Sequence, residues 1–318
     1  MTIACYQKLA EILPIESAVL ATVIDAKGSV PREVGAKMVV WGDRNSFDTI
    51  GGGAGEAKVI QQAMAVLATG EKQTVEIDLS GAPQRQTQGI CGGWMCIWLE
   101  RWSGAQAIAL VQAILNRLES GRSVTLVTPF DRARSPHLGA AVAPQTDERA
   151  FIETLEPPPT LLIVGAGHVG EQLAKAAHFI GFQIAIQDDR STWANPQRYP
   201  QAAQIFTSIE TAIEQLDHHS QLYAALVTRS YQYDLTALNL LLNRKKTCRY
   251  IGMIGSAKRV RQVYQALGSE INSAKLRSIY APIGLDIGAL TPEEIAVSIA
   301  AELILVRRGG TGRSLSSH

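Results

Sequence analysis

The residues best suited to chemistry are glycines placed where a strand-like run ends. Gly165-Ala166-Gly167-His168-Val169-Gly170 follows the apolar run 161–164 and opens a helical stretch at 169–180. In a G-x-G-x-x-G turn the first glycine permits the bend and the second lets a pyrophosphate approach the backbone. The third lets helix and strand pack closely. The new helix then points unpaired N–H groups and the positive end of its dipole at the phosphate. Asp188 falls at the end of the next strand-like run, 182–187, where a carboxylate would accept hydrogen bonds from ribose hydroxyls and favour NAD. Arg190, two residues on, could meet a 2′-phosphate instead, which leaves NADP open. The alternative is a glycine-rich turn that packs a helix on a sheet and binds nothing. His168 is placed at the helix start, facing solvent or ligand rather than a metal, since no second histidine or cysteine is spaced to join it.

A second glycine run, Gly51-Gly52-Gly53, lies between a strand-like segment and the helical stretch 55–67, so its amides could cradle an anion in the same way. Arg32 and Lys37 flank the turn Gly28-Ser29-Val30-Pro31 and would add positive charge if the fold brings the two loops together; otherwise they are surface cations beside a tight turn. Cys91 sits among small residues in Gly89-Ile90-Cys91-Gly92-Gly93. Its sulfur is then reachable and a thiolate could be stabilised by amides, as a sulfur- or metal-handling cysteine requires, although a packing cysteine fits the same pattern. Cys96 belongs to a core strand. Arg229, in Thr228-Arg229-Ser230-Tyr231, follows another strand and could bind phosphate or carboxylate; Gly252-Met253-Ile254-Gly255-Ser256 offers one more helix start. No histidine and carboxylate are set together as an evident proton-transfer pair, so hydride-transfer catalysis is not written in the sequence.

These loops need elements to hold them. Glu156-Pro157-Pro158-Pro159 forbids helix and central strand, so the boundary between two domains, 1–156 and 160–308, is placed there, with a polar tail at 309–318. Beyond the prolines, apolar runs at 161–164, 182–187, 222–228 and 250–254 alternate with helical stretches at 169–180, 235–242 and 257–267. Such alternation predicts an α/β, Rossmann-like, doubly wound parallel sheet. The final helix begins with a capping box, Thr291 and Glu294, with Pro292 in its first turn. The N-terminal half is also α/β, with strands at 18–25, 37–41, 97–100 and 123–128 and a helix at 106–118, its topology left open.

Composition narrows the classes further. A chain of 318 residues with 46% hydrophobic and 19% charged residues is globular rather than disordered. A net charge of +1 and a pI near 7.7 give no basic stripe, so nucleic acid is not expected as a partner. No run is long enough to span a bilayer, and the start lacks a secretory pattern, so the expected location is the cytoplasm. The four cysteines form no C-x-x-C pair.

Taken together, several strings resemble the xanthine dehydrogenase accessory protein family, the XdhC/CoxI family. They are the 19–23 strand, Gly28-Ser29-Val30-Pro31-Arg32 with Gly35-Ala36-Lys37-Met38, Ile50-Gly51-Gly52-Gly53, Cys91-Gly92-Gly93, the 165–170 turn with Asp188-Asp189-Arg190, the 251–256 string, and Pro282-Ile283-Gly284-Leu285-Asp286-Ile287-Gly288 with 291–296. The resemblance implies a protein that binds molybdenum cofactor (molybdopterin) and protects it while a cysteine desulfurase helps install its terminal sulfur. The cofactor then passes to a xanthine-dehydrogenase-like molybdenum hydroxylase. Under it, the 51–53 loop with Arg32 and Lys37 would hold a phosphate-bearing pterin, and Cys91 would meet the molybdenum or its sulfur. A homodimer is the default assembly. This chain departs from the family pattern twice: Ala54 and Gly55 stand where many relatives have a cysteine, and Ser230-Tyr231 replace the end of a T-R-G-H string. An NAD(P)-dependent oxidoreductase and a nucleotide-sensing regulator are the other readings.

Overall fold

The computed structural model describes residues 2–79, 92–140, 145–146, 149–268 and 271–316. It divides into two units, Met1–Glu156 and Pro157–His318, so the break falls at the start of the proline string.

The N-terminal unit runs α1 (Thr2–Ile12), β1 (Ala18–Lys27), β2 (Lys37–Trp41), β3 (Asn45–Phe47), α2 (Gly53–Thr69), β4 (Gln73–Asp78), β5 (Trp94–Trp102) and α3 (Gly104–Glu119), followed by β6 (Val124–Pro129), β7 (His137–Leu138), β8 (Gln145–Thr146) and β9 (Ala150–Leu155). Its main sheet has the order β3-β2-β1-β5-β4 and every pairing is antiparallel. Central β1 is covered on both faces. Val19, Ala21 and Val23 pack with Val59, Ala63 and Val66 of α2, whereas Ala18 and Leu20 pack with Leu9 of α1 and Ile114 of α3. That is why β1 reads as a continuous apolar run rather than an alternation. A second small sheet has the order β7-β6-β9-β8.

The C-terminal unit runs β10 (Thr160–Val164), α4 (His168–Phe179), β11 (Gln183–Gln187), β12 (Ala202–Phe206), α5 (Ile209–Leu216), β13 (Leu222–Leu226), α6 (Tyr231–Leu242), β14 (Tyr250–Met253), α7 (Ala257–Leu267), α8 (Ser273–Arg277) and α9 (Pro292–Arg308). The sheet is parallel with the order β12-β11-β10-β13-β14. Strand order reverses at β10, and a ligand crevice forms outside the strand ends at such a reversal. Leu161 and Ile163 face Leu173 of α4 and Ile299 and Leu303 of α9, while Leu162 and Val164 face Ile213 of α5 and Leu238 of α6. Helix α9 begins with the expected capping box, Thr291 with Glu294.

The Pro282–Gly288 string is a loop that fastens α9 to the sheet. The buried Glu302 carboxylate accepts hydrogen bonds from the Gly284 amide at 2.9 Å and the Tyr250 hydroxyl at 2.5 Å. Gly284 has φ 97° with Ser298 Oγ 2.4 Å from where a Cβ would lie, so no other residue fits there. Among the described residues, no helix is long and apolar enough to cross a membrane.

At the base of β10, buried His219 takes the Gln221 N–H on Nδ1 at 3.2 Å, which leaves its Nε2–H for Thr160 Oγ1 at 2.9 Å. Burial first, and then Arg244 and Lys246, push its pKa down from 6.5 to about 4. The unfolded chain therefore binds this proton more readily. The stability it contributes is complete above pH 6.5 and is lost as pH falls toward 4, by up to about 3 kcal/mol. Urea unfolding at pH 7 and pH 4.5 should show a smaller loss of stability in His219→Gln than in the parent; equal losses would contradict this assignment.

Candidate functional site

In the C-terminal unit each fingerprint glycine has its own geometric reason. Gly165, just past β10, has φ 109°, and a Cβ there would lie 2.6 Å from the Val227 carbonyl at the end of β13. Gly170, on α4, sits so close to the turn that a Cβ would lie 2.3 Å from the Gly165 carbonyl. Gly167 is the N-cap of α4, with ordinary φ −74° and nothing within 4 Å of a Cβ position. The first and third glycines therefore build the turn, while the second leaves open space at the helix start, where a phosphate would sit. His168 meets Trp193 edge-on at 5.5 Å. Among the described residues, no group of three or more His, Cys, Asp or Glu could hold a metal ion.

Asp188 ties this turn to β11. Its Oδ2 accepts the Ala166 N–H and an Arg190 Nη2 hydrogen, each at 2.8 Å, and its Oδ1 accepts the Arg190 amide at 3.0 Å and Nε at 2.8 Å. Burial on its own would raise the Asp188 pKa. The hydrogen bonds from the Arg190 guanidinium and from the Ala166 and Arg190 amides outweigh it and hold the carboxyl well below the usual carboxylate range. Both carboxylate oxygens expected to meet a ribose are thus engaged by the protein, and so is the guanidinium expected to meet a 2′-phosphate. The half-exposed carboxylate at this edge is Asp189. It accepts from Arg229 Nη2 at 3.0 Å and from the Tyr233 hydroxyl at 2.9 Å. Between these groups lies a cavity of 380 Å³ with an apolar wall that includes Val164, Ile209, Val227 and Ala237.

Arg229 is aimed by a buried network that its string alone does not reveal. Thr228 Oγ1 donates to fully buried Asp234 at 2.7 Å, and Arg259 Nε donates to the same carboxylate at 2.8 Å. Arg259 Nη2 also reaches Thr228 Oγ1 at 2.8 Å. Sequence reasoning does not reach Asp189, Tyr233, Asp234 or Arg259. The available signal is weak: Asp234 lies in line with the apolar face of α6, Ala237, Leu238 and Leu241, but an acid in a first helical turn also suits the helix dipole without any buried partner.

The N-terminal unit brings its three glycine strings together around the Gly28-Ser29-Val30-Pro31 turn. A Cβ on Gly28 would lie 3.1 Å from the Gly92 carbonyl, one on Gly93 2.2 Å from the Ser29 carbonyl, and one on Gly51 2.4 Å from Pro31 Cγ. Among the described residues, nothing lies within 4 Å of a Cβ position on Gly52 and Gly53, with φ 74° and 66°, or on Gly92. The start of α2 is partly occupied, because the Glu56 carboxylate accepts from Ile50 N at 3.2 Å, Gly52 N at 3.1 Å and the Thr49 hydroxyl. Arg32 Nη2 reaches Asp48 at 3.3 Å. Lys37 differs from the expectation that it would serve the glycine loop. It is buried, with Nζ 2.7 and 2.8 Å from the Glu153 carboxylate and 3.2 Å from the Gly35 carbonyl. A lysine at the start of a fully covered strand must be neutralised inside the protein, and Glu153 of β9 does so.

Cys91 lies outside the described residues. Cys5 is buried, and desolvation with Asp48 nearby pushes its pKa up to about 12, so it stays a thiol. Cys96 is half-buried beside Ile24, Trp98 and Phe151. Burial likewise raises the Cys248 thiol, although the Arg244 guanidinium lies 3.3 Å away.

A parallel sheet that reverses at its first strand, with a glycine turn between that strand and its helix, makes the C-terminal unit a Rossmann domain. Residues 161–303 match the model of the XdhC Rossmann domain, and residues 15–78 match that of the XdhC and CoxI family. The chain belongs to the XdhC/CoxI family. It is 28% identical to a probable xanthine dehydrogenase subunit of Bacillus subtilis (strain 168), over 92% of this chain and 94% of that one. It is 25% identical to the molybdenum cofactor insertion chaperone PaoD of Escherichia coli (strain K12), over 92% of this chain and 84% of that protein. A crystal structure described as a xanthine dehydrogenase from Bacillus halodurans superposes with a TM-score of 0.77 at 26% identity, covering 99% of this chain and 98% of the other.

Two predictions separate structural from ligand-facing residues. Gly165→Ala should lower unfolding stability by at least about 2 kcal/mol, whereas Gly167→Ala should change it by less than about 0.5 kcal/mol; equal effects in urea titrations would refute the division of roles. Lys37→Met should cost about 3–5 kcal/mol by stranding Glu153, with most of it recovered in Lys37→Met/Glu153→Leu. A Lys37→Met protein as stable as the parent would return Lys37 to the candidate site.

Proposed function

We propose that this chain is an accessory protein that binds molybdenum cofactor, shields it while its terminal sulfur is installed with the help of a cysteine desulfurase, and delivers it to a xanthine-dehydrogenase-like molybdenum hydroxylase. The observation that carries this reading is the similarity, through both units, to a protein named as a molybdenum cofactor insertion chaperone. The N-terminal unit has features such a ligand needs. Among the described residues, no atom lies within 4 Å of a Cβ position on Gly52, Gly53 or Gly92, which favours close approach of a flat pterin and its phosphate to the backbone. The fit is narrower than the sequence implied. Glu56 holds the Gly52 amide, Lys37 is committed to Glu153 and Arg32 already reaches Asp48, so the phosphate rests chiefly on the first-turn amides of α2, with Arg32 shared between it and Asp48.

In this reading Gly53 and Arg32 grip the phosphate and the turn 28–31 sets the distance between the glycine strings. Cys91 is the thiol that meets the molybdenum or its sulfur. The bound cofactor supplies the metal centre and its sulfur ligand; the protein's part is grip, shielding and release. The test is pterin retention. Protein isolated from cells that make the cofactor should release a fluorescent pterin after oxidation, and Cys91→Ser should retain less molybdenum by mass spectrometry. Removing the chain should leave the client hydroxylase without cyanide-releasable sulfur. A parent protein that carries no pterin would overturn the proposal, and equal molybdenum in Cys91→Ser would remove Cys91 from the site.

A further inference from the structure

Nine of the chain's 30 lysines and arginines fall between positions 244 and 277, against one acid, in a protein of net charge +1. Several of them gather round a second cavity of the C-terminal unit, of 370 Å³, which the end of α6, the start of β14 and residues 275–280 enclose. It lies where the parallel strands begin, at the opposite end of the sheet from the crevice beside the glycine turn. Its floor is apolar, made by Leu241, Leu242, Ile251 and Ile279, and one wall is the stacked pair Tyr250 and Tyr280, with ring centres 4.7 Å apart. The charged residues on it are Arg249, Lys275 and Arg277, and among the described residues no acid lines it.

Two of these cations keep their charge for a ligand. Lys275 Nζ donates to the Leu242 carbonyl at 2.7 Å, which covers the negative end of α6 and leaves two further N–H groups. Arg277 is exposed and has no hydrogen bond or ion pair among the described residues. Behind the wall, the buried Arg244 guanidinium places Nη1 3.3 Å from Sγ of Cys248, a lining residue, and spends Nη2 on the Leu216 and Asp217 carbonyls. Its charge, with that of Lys246, already reaches His219 and helps to push that pKa down. Positive charge set around a concave apolar wall concentrates its field in the cavity. The walls are also built in advance: the Tyr250 hydroxyl is held by Glu302, and Ser278 Oγ donates to the Lys275 carbonyl at 2.7 Å.

We propose that this cavity binds a small organic anion, with a carboxylate or phosphate head held by Lys275 and Arg277 and an apolar body resting on Leu241, Leu242 and the Tyr280 ring. A guanidinium fork matches two oxygens of either head, and the lysine adds a point charge. The volume lies at the small end of the range for ligand pockets, which suits a single ring or short chain rather than a dinucleotide. An inorganic ion would leave the apolar floor in water, and a neutral ring would leave the cations unanswered. No residue of the glycine turns takes part, so pterin binding and this site can each fail without the other.

Titration calorimetry on the full chain at low ionic strength tests it with phenyl phosphate and benzoate, against inorganic phosphate as the head alone and benzyl alcohol as the body alone. At least one of the two aromatic anions should bind with a Kd below about 1 mM, about tenfold more tightly than either partial probe. The tighter of the two identifies the head as phosphate or carboxylate. Arg277→Gln, with unchanged thermal stability, should weaken that binding about tenfold. Binding of neither aromatic anion at about 1 mM would overturn the proposal. So would a partial probe that binds as tightly as the aromatic anions, or an unchanged affinity in Arg277→Gln.

Discussion

Backbone amides can grip a ligand only where no side chain covers them, and glycine turns that meet this condition have no side chains of their own to hold them still. Everything of functional interest in this protein follows from how that conflict is resolved. In the C-terminal unit the clamp is Asp188, which pins the Ala166 amide of the turn with one oxygen and is itself fixed by Arg190. Gly165 and Gly170 then wedge the turn between β13 and α4, and Gly167 alone of the three is left facing open space. In the N-terminal unit the clamps are Pro31, pressed on Gly51, and Glu56, bound to the amides of Ile50 and Gly52. In both, a carboxylate is part of the scaffold, and in the C-terminal unit it is the one that reads in the sequence as a ligand contact.

This also explains which features are visible in the sequence. The parallel sheet is legible because its central strands are buried on both faces and read as apolar runs with helices between them. The edge strand β12 and short helix α5 are not, since Ala203 and Gln204 are exposed and give no apolar run. The antiparallel order of the first sheet is equally hidden: β1 and β5 pair along most of their length, but nothing local in either strand encodes the direction of its partner. Fingerprint glycines can be placed because the physics of a tight turn is local. Charged residues are harder. Position along the chain suggests ligand roles for Lys37 and Asp188, whereas the groups that engage them, the Glu153 carboxylate and the Ala166 amide, are brought to them by tertiary packing. Asp234 and Arg259, which aim the Arg229 loop, come from α6 and α7 and meet only in the fold.

The geometry leaves glycine backbone uncovered at two turns, one in each unit. The N-terminal turn is a platform of glycines with one nearby arginine; the C-terminal cavity is a walled slot whose two arginines are already paired with carboxylates. A slot with its cations committed suits a ligand recognised by shape and hydrogen bonds, and an open platform suits a larger group that must be handed on. Among the described cysteines, burial raises the pKa of Cys5, Cys96 and Cys248, so none is a ready thiolate.

The central claim is that these glycine amides are the ligand contacts. Selective ¹⁵N labelling of the 27 glycines allows their amide resonances to be followed directly while molybdopterin and NAD⁺ are added in turn. Molybdopterin is predicted to shift Gly53 with its neighbours and leave Gly167 in place, and NAD⁺ to do the reverse. Ligand binding that moves neither set of amides would contradict the account.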